Sequence, residues 1–469
     1  MTNKKKTIGL LIGIAVAGFA LVLAAFTSPT NFGAKGALFS AAPIFQLLLI
    51  LLAFLFLLTI PLIVIAMLAR RKELDASIEE IDKKSKQLLN QPQGGTATAS
   101  KKDDAPEEGQ EPRFFMLNEI DQKMQGGDRE IYEKDIDLEE LCNQFRNFAA
   151  SQLKLYYSIE DIRRFISNLA STHVLIMQGM SGTGKTSLAY AFGEFIKNPS
   201  AIVPIQPMWK ERSDLLGYYN EFTQRFNETV LLQKMYEANY KEALYVVILD
   251  EMNIARVEYY FAEFLSLLEI PRADRRYIDV VSDVWESDPK LLKNGQLKLP
   301  TNMWFIGTAN NDDSTFAISD KVYDRAMVMN LDQKAEVFEA EPTQGVRLSA
   351  AYFDQLAAKA RKEYRLTYRN RRRLRMLDEY MVEKFKITFG NRIMKQIESY
   401  VPTYLACGGD ELGALDDIIA KKVFRKLETQ NPIYVRNQVE GLCNFLDDLF
   451  GYDKMILCKN YLAKFERSA

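Results

Sequence analysis

The sequence predicts an α/β fold in which a parallel sheet is flanked by helices. An α-helical region follows this core, and two membrane-crossing helices precede it. Three observations support this prediction. Short apolar runs alternate with helical periodicity in the middle of the chain, the last third has a helical pattern, and the beginning contains long uncharged apolar stretches. The 469 residues are enough for about two or three domains.

The composition excludes some classes of chemistry. The formal net charge is −2, so the charge of the whole chain does not favour nucleic acid or an acidic surface as a partner. His173 is the single histidine, which nearly excludes histidine-based catalysis and histidine metal sites, and we expect it to be structural. The four cysteines lie far apart without metal-ligand spacing, which indicates free thiols in a reducing compartment.

Two apolar stretches near the N-terminus, residues 7–26 and 43–68, are each long enough to cross a hydrocarbon core of roughly 30 Å as a helix. Lysines precede the first stretch and Arg70, Arg71 and Lys72 follow the second, so the positive-inside rule places both ends in the cytoplasm. The sequence therefore predicts a two-pass protein of the cell (plasma or inner) membrane with its main domain on the cytoplasmic side. The alternative is that the first stretch is a cleaved signal peptide.

A charged, helical stretch follows the membrane segments and leads into a region rich in Gly, Pro, Ser and acidic residues with almost no apolar ones. Such a composition cannot bury a core, so residues 73–113 are predicted to be a charged helix and a flexible linker.

A glycine-rich loop, "GMSGTGKT", lies between an apolar run, residues 173–178, and an amphipathic helical pattern. This strand–loop–helix context is typical of a phosphate-binding P-loop, whose backbone N–H groups surround phosphate oxygens at a helix N-terminus. Lys185 would contact the β and γ phosphates, and the Thr186 hydroxyl would contact Mg²⁺. The nucleotide-binding residues predicted here are Gly179, Met180, Ser181, Gly182, Thr183, Gly184, Lys185, Thr186 and Ser187.

Two further apolar runs end in polar side chains. Residues 246–249 have the β-branched pattern of a central parallel strand and are followed by Asp250 and Glu251. Ligands bind at the carboxyl ends of such strands, where Asp250 could hold a magnesium water and Glu251 could polarise the attacking water. Residues 304–307 predict another buried strand, and Asn310, shortly after it, could orient that water.

These motifs resemble those of AAA+ ATPases from about residue 137 to 380. More narrowly, "VVILDEMNIARVEYYFAEFLSLLE" and "LPTNMWFIGTANNDDS" resemble the dynein-related branch, which includes midasin and the McrB-type restriction motors. The resemblance implies that Lys185 and Thr186 belong to Walker A, and Asp250 and Glu251 to Walker B. It also implies that Asn310 is sensor 1.

The same resemblance assigns two arginines. Arg325 matches the arginine finger that reaches a neighbour's nucleotide, although the second arginine that McrB-like chains show is missing. Arg372 matches sensor 2, and Arg371 or Arg373 could substitute for it. Related proteins also place a pore-lining β-hairpin within residues 269–299, and its apolar tips would be Tyr277, Ile278, Trp285 and Leu291.

The predicted domains are a membrane-anchoring helical hairpin (1–72), the linker (73–113), an AAA+ α/β domain (114–330), and an α-helical lid over the nucleotide with a helical extension (331–469). The expected function is Mg-ATP hydrolysis by a membrane-tethered ring, expected to be a hexamer of this chain. The ring would remodel or translocate a macromolecule, with an unknown protein as substrate or partner. ATP is expected rather than GTP because "ANNDDS" differs from the corresponding motif of McrB.

Two alternatives remain open. An McrB-like nucleic-acid motor of a restriction or defence system is possible, because many arginines lie between residues 361 and 375. It is not favoured, because no DNA-reading domain is recognisable and a helical face exposing these cations explains them more simply. The other alternative is an assembly switch in which nucleotide hydrolysis only times oligomerisation.

Overall fold

The computed structural model describes residues 111–124, 130–310 and 315–467. The two predicted membrane helices, 7–26 and 43–68, and all but the end of the predicted linker lie outside the described residues. Within the described ranges, no helix is both long enough and apolar enough to span a membrane.

A five-stranded sheet forms the centre of the α/β domain. Its strands are β1 (Val174–Gly179), β2 (Ala201–Pro204), β5 (Tyr245–Asp250), β9 (Met303–Asn310) and β10 (Met327–Asn330). They lie in the order β10-β1-β9-β5-β2, and every pairing is parallel. Smaller sheets contain β3 (Tyr219–Asn220), β4 (Arg225–Phe226), β6 (Tyr277–Asp279), β7 (Leu292–Lys293) and β8 (Gln296–Lys298).

Helices cover both faces of the large sheet. The α-helices of the described residues are α1 (Met116–Met124), α2 (Leu138–Leu153), α3 (Ile159–Ser171), α4 (Lys185–Phe195), α5 (Arg212–Leu216), α6 (Val230–Ala238), α7 (Val257–Tyr260), α8 (Ala262–Glu269), α9 (Asp320–Tyr323), α10 (Ala350–Glu363), α11 (Tyr368–Phe385), α12 (Gly390–Ala406), α13 (Glu411–Ile418), α14 (Pro432–Phe450) and α15 (Ile456–Arg467). The predicted α/β fold with a parallel sheet flanked by helices is confirmed.

The sheet has two buried faces, as the apolar runs predicted. Leu175 and Met177 of β1 pack with α2, α3 and α4, whereas Val174 and Ile176 pack on the side of α6, α7 and α8. Because the side chains of a strand point to opposite faces in turn, both faces need apolar residues, and the polar Gln178 and Thr308 lie towards the carboxyl ends of β1 and β9. The strands therefore bring their polar residues together only at their ends.

One hydrophobic core runs across the predicted boundary between residues 330 and 331. The apolar cluster on the α2–α4 face of the sheet continues into the helical region, from Phe353 in α10 to Leu462 in α15. The α/β domain and the helical region consequently form one compact unit.

The first helix of the helical region, α10, lies away from the glycine-rich loop. After β10, an irregular segment, 331–348, leads away from the loop that follows β1. The Leu244 N–H then donates to the Leu348 carbonyl at 3.1 Å, and the Phe353 ring lies 5.8 Å from that of Trp304. Leu244 and Trp304 are at the amino ends of β5 and β9. The first helix of the helical region therefore lies opposite the end where ligands bind in such sheets.

The insertion before β9 contains a three-stranded antiparallel sheet in the order β6-β8-β7. A β-hairpin was expected there, and two of its expected apolar tips, Ile278 and Trp285, are instead packed within the domain. Ile278 is 0% exposed. The Trp285 ring is covered by the Arg113 guanidinium, 4.5 Å from the ring centroid, and packs edge-on against Tyr219. These two side chains therefore pack against their own domain.

His173 has a structural position, as its place before the apolar run of β1 predicted. Its ring lies 4.5 Å from the Trp304 ring, and its Nδ1 is 3.2 Å from the Met303 carbonyl oxygen. Burial lowers the pKa of the imidazole to about 4, so His173 is neutral at neutral pH.

Candidate nucleotide-binding site

The glycine-rich loop connects β1 to α4 and requires glycine at both ends. Gly179 has a φ of +144°, and a Cβ there would lie 2.4 Å from the Leu331 carbonyl oxygen. Gly184 has a φ of +94°, and a Cβ there would lie 3.1 Å from the Tyr157 hydroxyl. That hydroxyl donates a hydrogen bond to the Gly184 carbonyl at 3.0 Å. Tyr157 thus fixes the loop where it enters α4, a contact that the local sequence did not reveal.

Lys185 belongs to the first turn of α4 and turns back over the loop. Its Nζ donates to the Gly179 carbonyl at 3.1 Å and to the Met180 carbonyl at 2.7 Å. The residue is only 5% exposed. The ammonium group is therefore held inside the loop, where an anionic ligand of the loop would meet it.

A hydrogen-bonded group joins the loop to the ends of two strands. The Thr186 hydroxyl donates to Asp250 Oδ1 at 2.7 Å, and the Thr308 hydroxyl donates to the same oxygen at 2.8 Å. The Glu251 N–H in turn donates to Thr308 Oγ1 at 2.9 Å. Parallel pairing of β5 with β9 brings these residues together. Thr308 was not predicted as a site residue, because only the strand register shows its position.

Glu251 has a left-handed backbone conformation, with φ 51° and ψ 46°. Such a conformation is uncommon for a residue with a side chain and occurs often at functional sites. The residue is exposed, whereas Leu249 before it and Met252 after it are buried. The backbone therefore presents the Glu251 carboxylate to solvent at the carboxyl end of β5.

Asn310 ends β9 directly beside the loop, in register with Gly179. Its carbonyl accepts a hydrogen bond from Asn253 Nδ2 at 2.9 Å, and the same amide nitrogen donates to Thr315 Oγ1 at 2.9 Å. Asn253 is 5% exposed, and its Oδ1 has no hydrogen-bond partner among the described residues. Asn310 thus stands where a polar group could orient water, and Asn253 fixes the backbone behind it.

Arg325 is far from the loop of its own chain. It precedes β10, which runs parallel to β1, so Arg325 lies at the amino end of the sheet and the loop at the carboxyl end. Its Nε is 3.1 Å from Glu269 Oε2, and its guanidinium also donates to Ser266 Oγ at 3.3 Å. Arg325 therefore has no role in the nucleotide site of its own chain.

Arg372 is exposed in the first part of α11, which packs against α14. Among the described residues, no hydrogen bond or ion pair joins Arg372 to the loop. Nor do its neighbours reach the loop: Arg371 pairs with Glu398 at 2.9 Å, and Arg373 donates to Asn370 Oδ1 at 2.8 Å. The structure thus does not bring the predicted sensor 2 together with the other predicted site residues.

The chemistry of the loop fits a nucleoside triphosphate with magnesium. Among the residues that the structure describes, no side chain caps the N-terminus of α4 and none lies within 4 Å of a Cβ placed on Gly182, so the loop is open to a ligand. The described residues contain no group of three or more His, Cys, Asp or Glu side chains that could hold a metal. Magnesium would therefore depend on Thr186, Asp250, water and phosphate oxygens, as is usual for this ion.

The parallel sheet, the loop between β1 and α4, and the acidic end of β5 define a P-loop protein. Residues 174–326 match the family model described as "AAA domain (dynein-related subfamily)", so this part of the chain is similar to that family.

Among solved structures, the chain is similar to a "putative ATPase" from Cytophaga hutchinsonii. The identity is 12%, the TM-score is 0.44, and the match covers 70% of this chain and 96% of that chain. No curated protein matches the chain.

Proposed function

We propose that this protein is a Mg-ATP-hydrolysing AAA+ ATPase. The observation that carries the proposal is the shared contact of Thr186 and Thr308 with Asp250 Oδ1, because it joins the P-loop to the acidic strand end on which hydrolysis depends. In the proposed site, Lys185 and the loop bind the phosphates, and Thr186 and Asp250 hold magnesium. Glu251 accepts a proton from the attacking water, and Asn310 orients that water.

The magnesium ion supplies charge neutralisation to the phosphates when it is bound. The chain supplies the rest of the site. Loop N–H groups and the Lys185 ammonium attract the nucleotide, and the exposed Glu251 carboxylate stands at the carboxyl end of β5. ATP is proposed as the substrate in preference to GTP.

Lys185→Ala tests this proposal directly. We expect the variant to bind ATP at least about tenfold more weakly and to lose hydrolysis, because a charge-assisted contact with the phosphates is removed. Binding of a fluorescent ATP analogue and phosphate release would be measured, with and without EDTA. Lys359→Ala, which removes an exposed lysine far from the loop in sequence, is the matched control and should behave as the wild type. Wild-type affinity in the Lys185 variant, or hydrolysis that persists in EDTA, would refute the proposed site.

We also propose that the active form is a ring, and specifically a hexamer. Its support is the position of Arg325, which has no use at the nucleotide of its own chain but could serve a neighbouring one. Arg372, which is exposed in the first part of α11, is proposed as sensor 2 of this ring.

The ring is proposed to remodel or translocate a macromolecule, with a protein as substrate or partner, while residues 1–72 anchor it to the cytoplasmic face of the cell membrane. The uncharged stretches 7–26 and 43–68 and the cations that flank them support the anchor. Protease added outside intact cells should leave the ATPase domain uncut, and its degradation there would refute the orientation.

One observation favours the nucleic-acid motor as a second candidate. Five exposed cations, which have no ion pair among the described residues, lie around the start of α11: Lys362, Arg365, Arg369, Arg372 and Arg375. Tyr364 and Tyr368, which are 41% and 80% exposed, lie between them and could stack on bases. Cations at a helix N-terminus oppose the helix dipole, so a bound polyanion would offset this cost.

The response of ATP turnover to added macromolecules separates the candidates. Strong stimulation by single-stranded DNA or RNA, lost on Arg369→Glu/Arg372→Glu substitution, would establish the nucleic-acid motor. Stimulation by polypeptides alone would support the remodelling proposal. No stimulation together with nucleotide-dependent assembly would support the assembly switch.

A further inference from the structure

The segment that presents Arg325 is held by the C-terminal helical region. Residues 320–326, the Arg325 segment, comprise α9 and the turn before β10. The buried Lys422 Nζ donates to the carbonyls of Tyr323 and Ala326, the latter at 2.7 Å. These two carbonyls lie on either side of Arg325. Lys422 therefore fixes the backbone that carries the arginine.

Two further side chains of the helical region contact the Arg325 segment. Arg425 donates to Asp320 Oδ1 at 2.5 Å, and its guanidinium lies 3.7 Å from the centroid of the Tyr323 ring. Gln396 Nε2 donates to the Asp324 carbonyl at 3.1 Å. A short helix of four residues would be marginal alone, so these contacts determine where Arg325 stands.

One side chain connects the Arg325 segment to the P-loop. Gln178, the residue directly before Gly179, donates from its Nε2 to the Tyr323 hydroxyl. Tyr323 is two residues before Arg325. The connection therefore spans the sheet, from the loop at its carboxyl end to the arginine at its amino end.

The side chains of Gln178 and Tyr323 have space in which to change their hydrogen-bond partners. A cavity of 480 Å³ adjoins Gln178 and Tyr323, and Asn253, Asn310 and Arg425 also line it. Close-packed side chains have few alternative positions, whereas those beside a cavity can exchange partners. The buried Asn253 Oδ1, which lacks a hydrogen-bond partner within the part of the chain that the structure describes, could accept a bond from a side chain that moves.

We propose that the Gln178–Tyr323 hydrogen bond couples the nucleotide state of a protomer's own P-loop to the position of the arginine that it presents to its neighbour. Tyr323 is thus a positioning residue. This inference rests on the proposed function of Arg325. Because the coupling passes from one subunit to the next, ATP hydrolysis by the ring must be cooperative in ATP concentration.

Tyr323→Phe removes the hydroxyl and keeps the ring on Arg425. We expect unchanged ATP affinity under non-hydrolysing conditions, unchanged assembly, a Hill coefficient reduced to about 1, and turnover at saturating ATP about fivefold lower or more. Gln178→Leu should have the same effects. The double variant should lose no more turnover or cooperativity than either single variant, because both substitutions remove the same hydrogen bond. Tyr352→Phe is the matched control, since it removes a hydroxyl that donates to the Ile136 carbonyl at 2.9 Å.

Three outcomes would overturn the coupling: wild-type hydrolysis with a Hill coefficient of 1, undiminished cooperativity in Tyr323→Phe, or additive losses in the double variant. If Tyr323→Phe is unstable, Gln178→Leu tests the coupling in the same way. Arg325→Ala distinguishes failure of the coupling from failure of the finger. If Arg325→Ala is inactive and Tyr323→Phe is cooperative, only the coupling is wrong; full activity of Arg325→Ala refutes the finger itself.

Discussion

Replacing Glu251 with Gln is expected to lower ATP turnover by about 10²-fold or more while ATP affinity changes little, because only the group that takes a proton from water is lost. Gln has the same shape as Glu and leaves the backbone unchanged, so the Glu251 N–H can still donate to Thr308 Oγ1. Phosphate release and equilibrium binding of a fluorescent ATP analogue would be measured on the same preparation.

Glu263→Gln provides the control for this substitution, since Glu263 pairs with Arg212 at 2.8 Å and is not part of the proposed site. It should retain wild-type turnover. Normal turnover in the Glu251 variant would remove this residue from the catalytic role. Equal losses in both variants would indicate a general effect of removing a carboxylate from this domain.

Arg325→Ala is expected to lower turnover by about 10³-fold while the variant still binds ATP. In a ring, the guanidinium would form a fork of hydrogen bonds to the γ-phosphate of the neighbouring subunit and stabilise the charge that develops during transfer. The simpler possibility is that Arg325 only makes a surface ion pair with Glu269, which would contribute at most about 1 kcal/mol to stability.

Arg392→Ala separates these two roles. Arg392 contacts the same carboxylate group, 3.1 Å from Glu269 Oε1, so the two variants lose comparable ion pairs. If the ion pair alone mattered, the two would behave alike. The finger requires a large loss in Arg325→Ala and little change in Arg392→Ala.

Mixing variants then tests whether Arg325 acts between subunits. Arg325→Ala chains have an intact P-loop, and Lys185→Ala chains have an intact arginine. Neither should hydrolyse ATP alone, but mixed rings would place intact arginines beside intact P-loops and recover part of the activity. A mixture that stays inactive although mixed oligomers form would show that the assignment is wrong, and that the missing second arginine was significant.

The sequence predicted the parts of the fold and the site that depend on local pattern. The strands that carry Gly179, Asp250 and Asn310 have long apolar runs, and all three lie where parallel strands place them. Edge strands β2 and β10 escaped prediction because each has only four residues, and a proline or an asparagine ends it. Such short runs have too little periodicity to be distinguished from loops.

Other features depend on contacts between distant residues. The role of Thr308 follows from strand register, that of Tyr157 from its approach to Gly184, and that of Asn253 from its contact with Asn310. Nothing in the pattern of residues 331–348 indicates that this segment leads to the opposite end of the sheet. For this reason the sequence could not show where α10 lies, and the lid and the sensor 2 role of Arg372 stay predictions.

The core shared by the sheet and the helical region has a consequence for synthesis of the chain. Leu175 and Met177 are buried in a cluster that also includes Leu446 and Leu462. Leu446 and Leu462 are translated well after the early helices α2, α3 and α4 that pack on this side of the sheet, so the apolar side chains of α10–α13 in this cluster are covered later than those of the sheet. Newly made chains would thus expose apolar surface on these helices until α14 and α15 are made, and such surfaces promote aggregation and chaperone binding. We therefore expect substitutions in α14 and α15 to reduce the yield of folded protein more than its stability once folded.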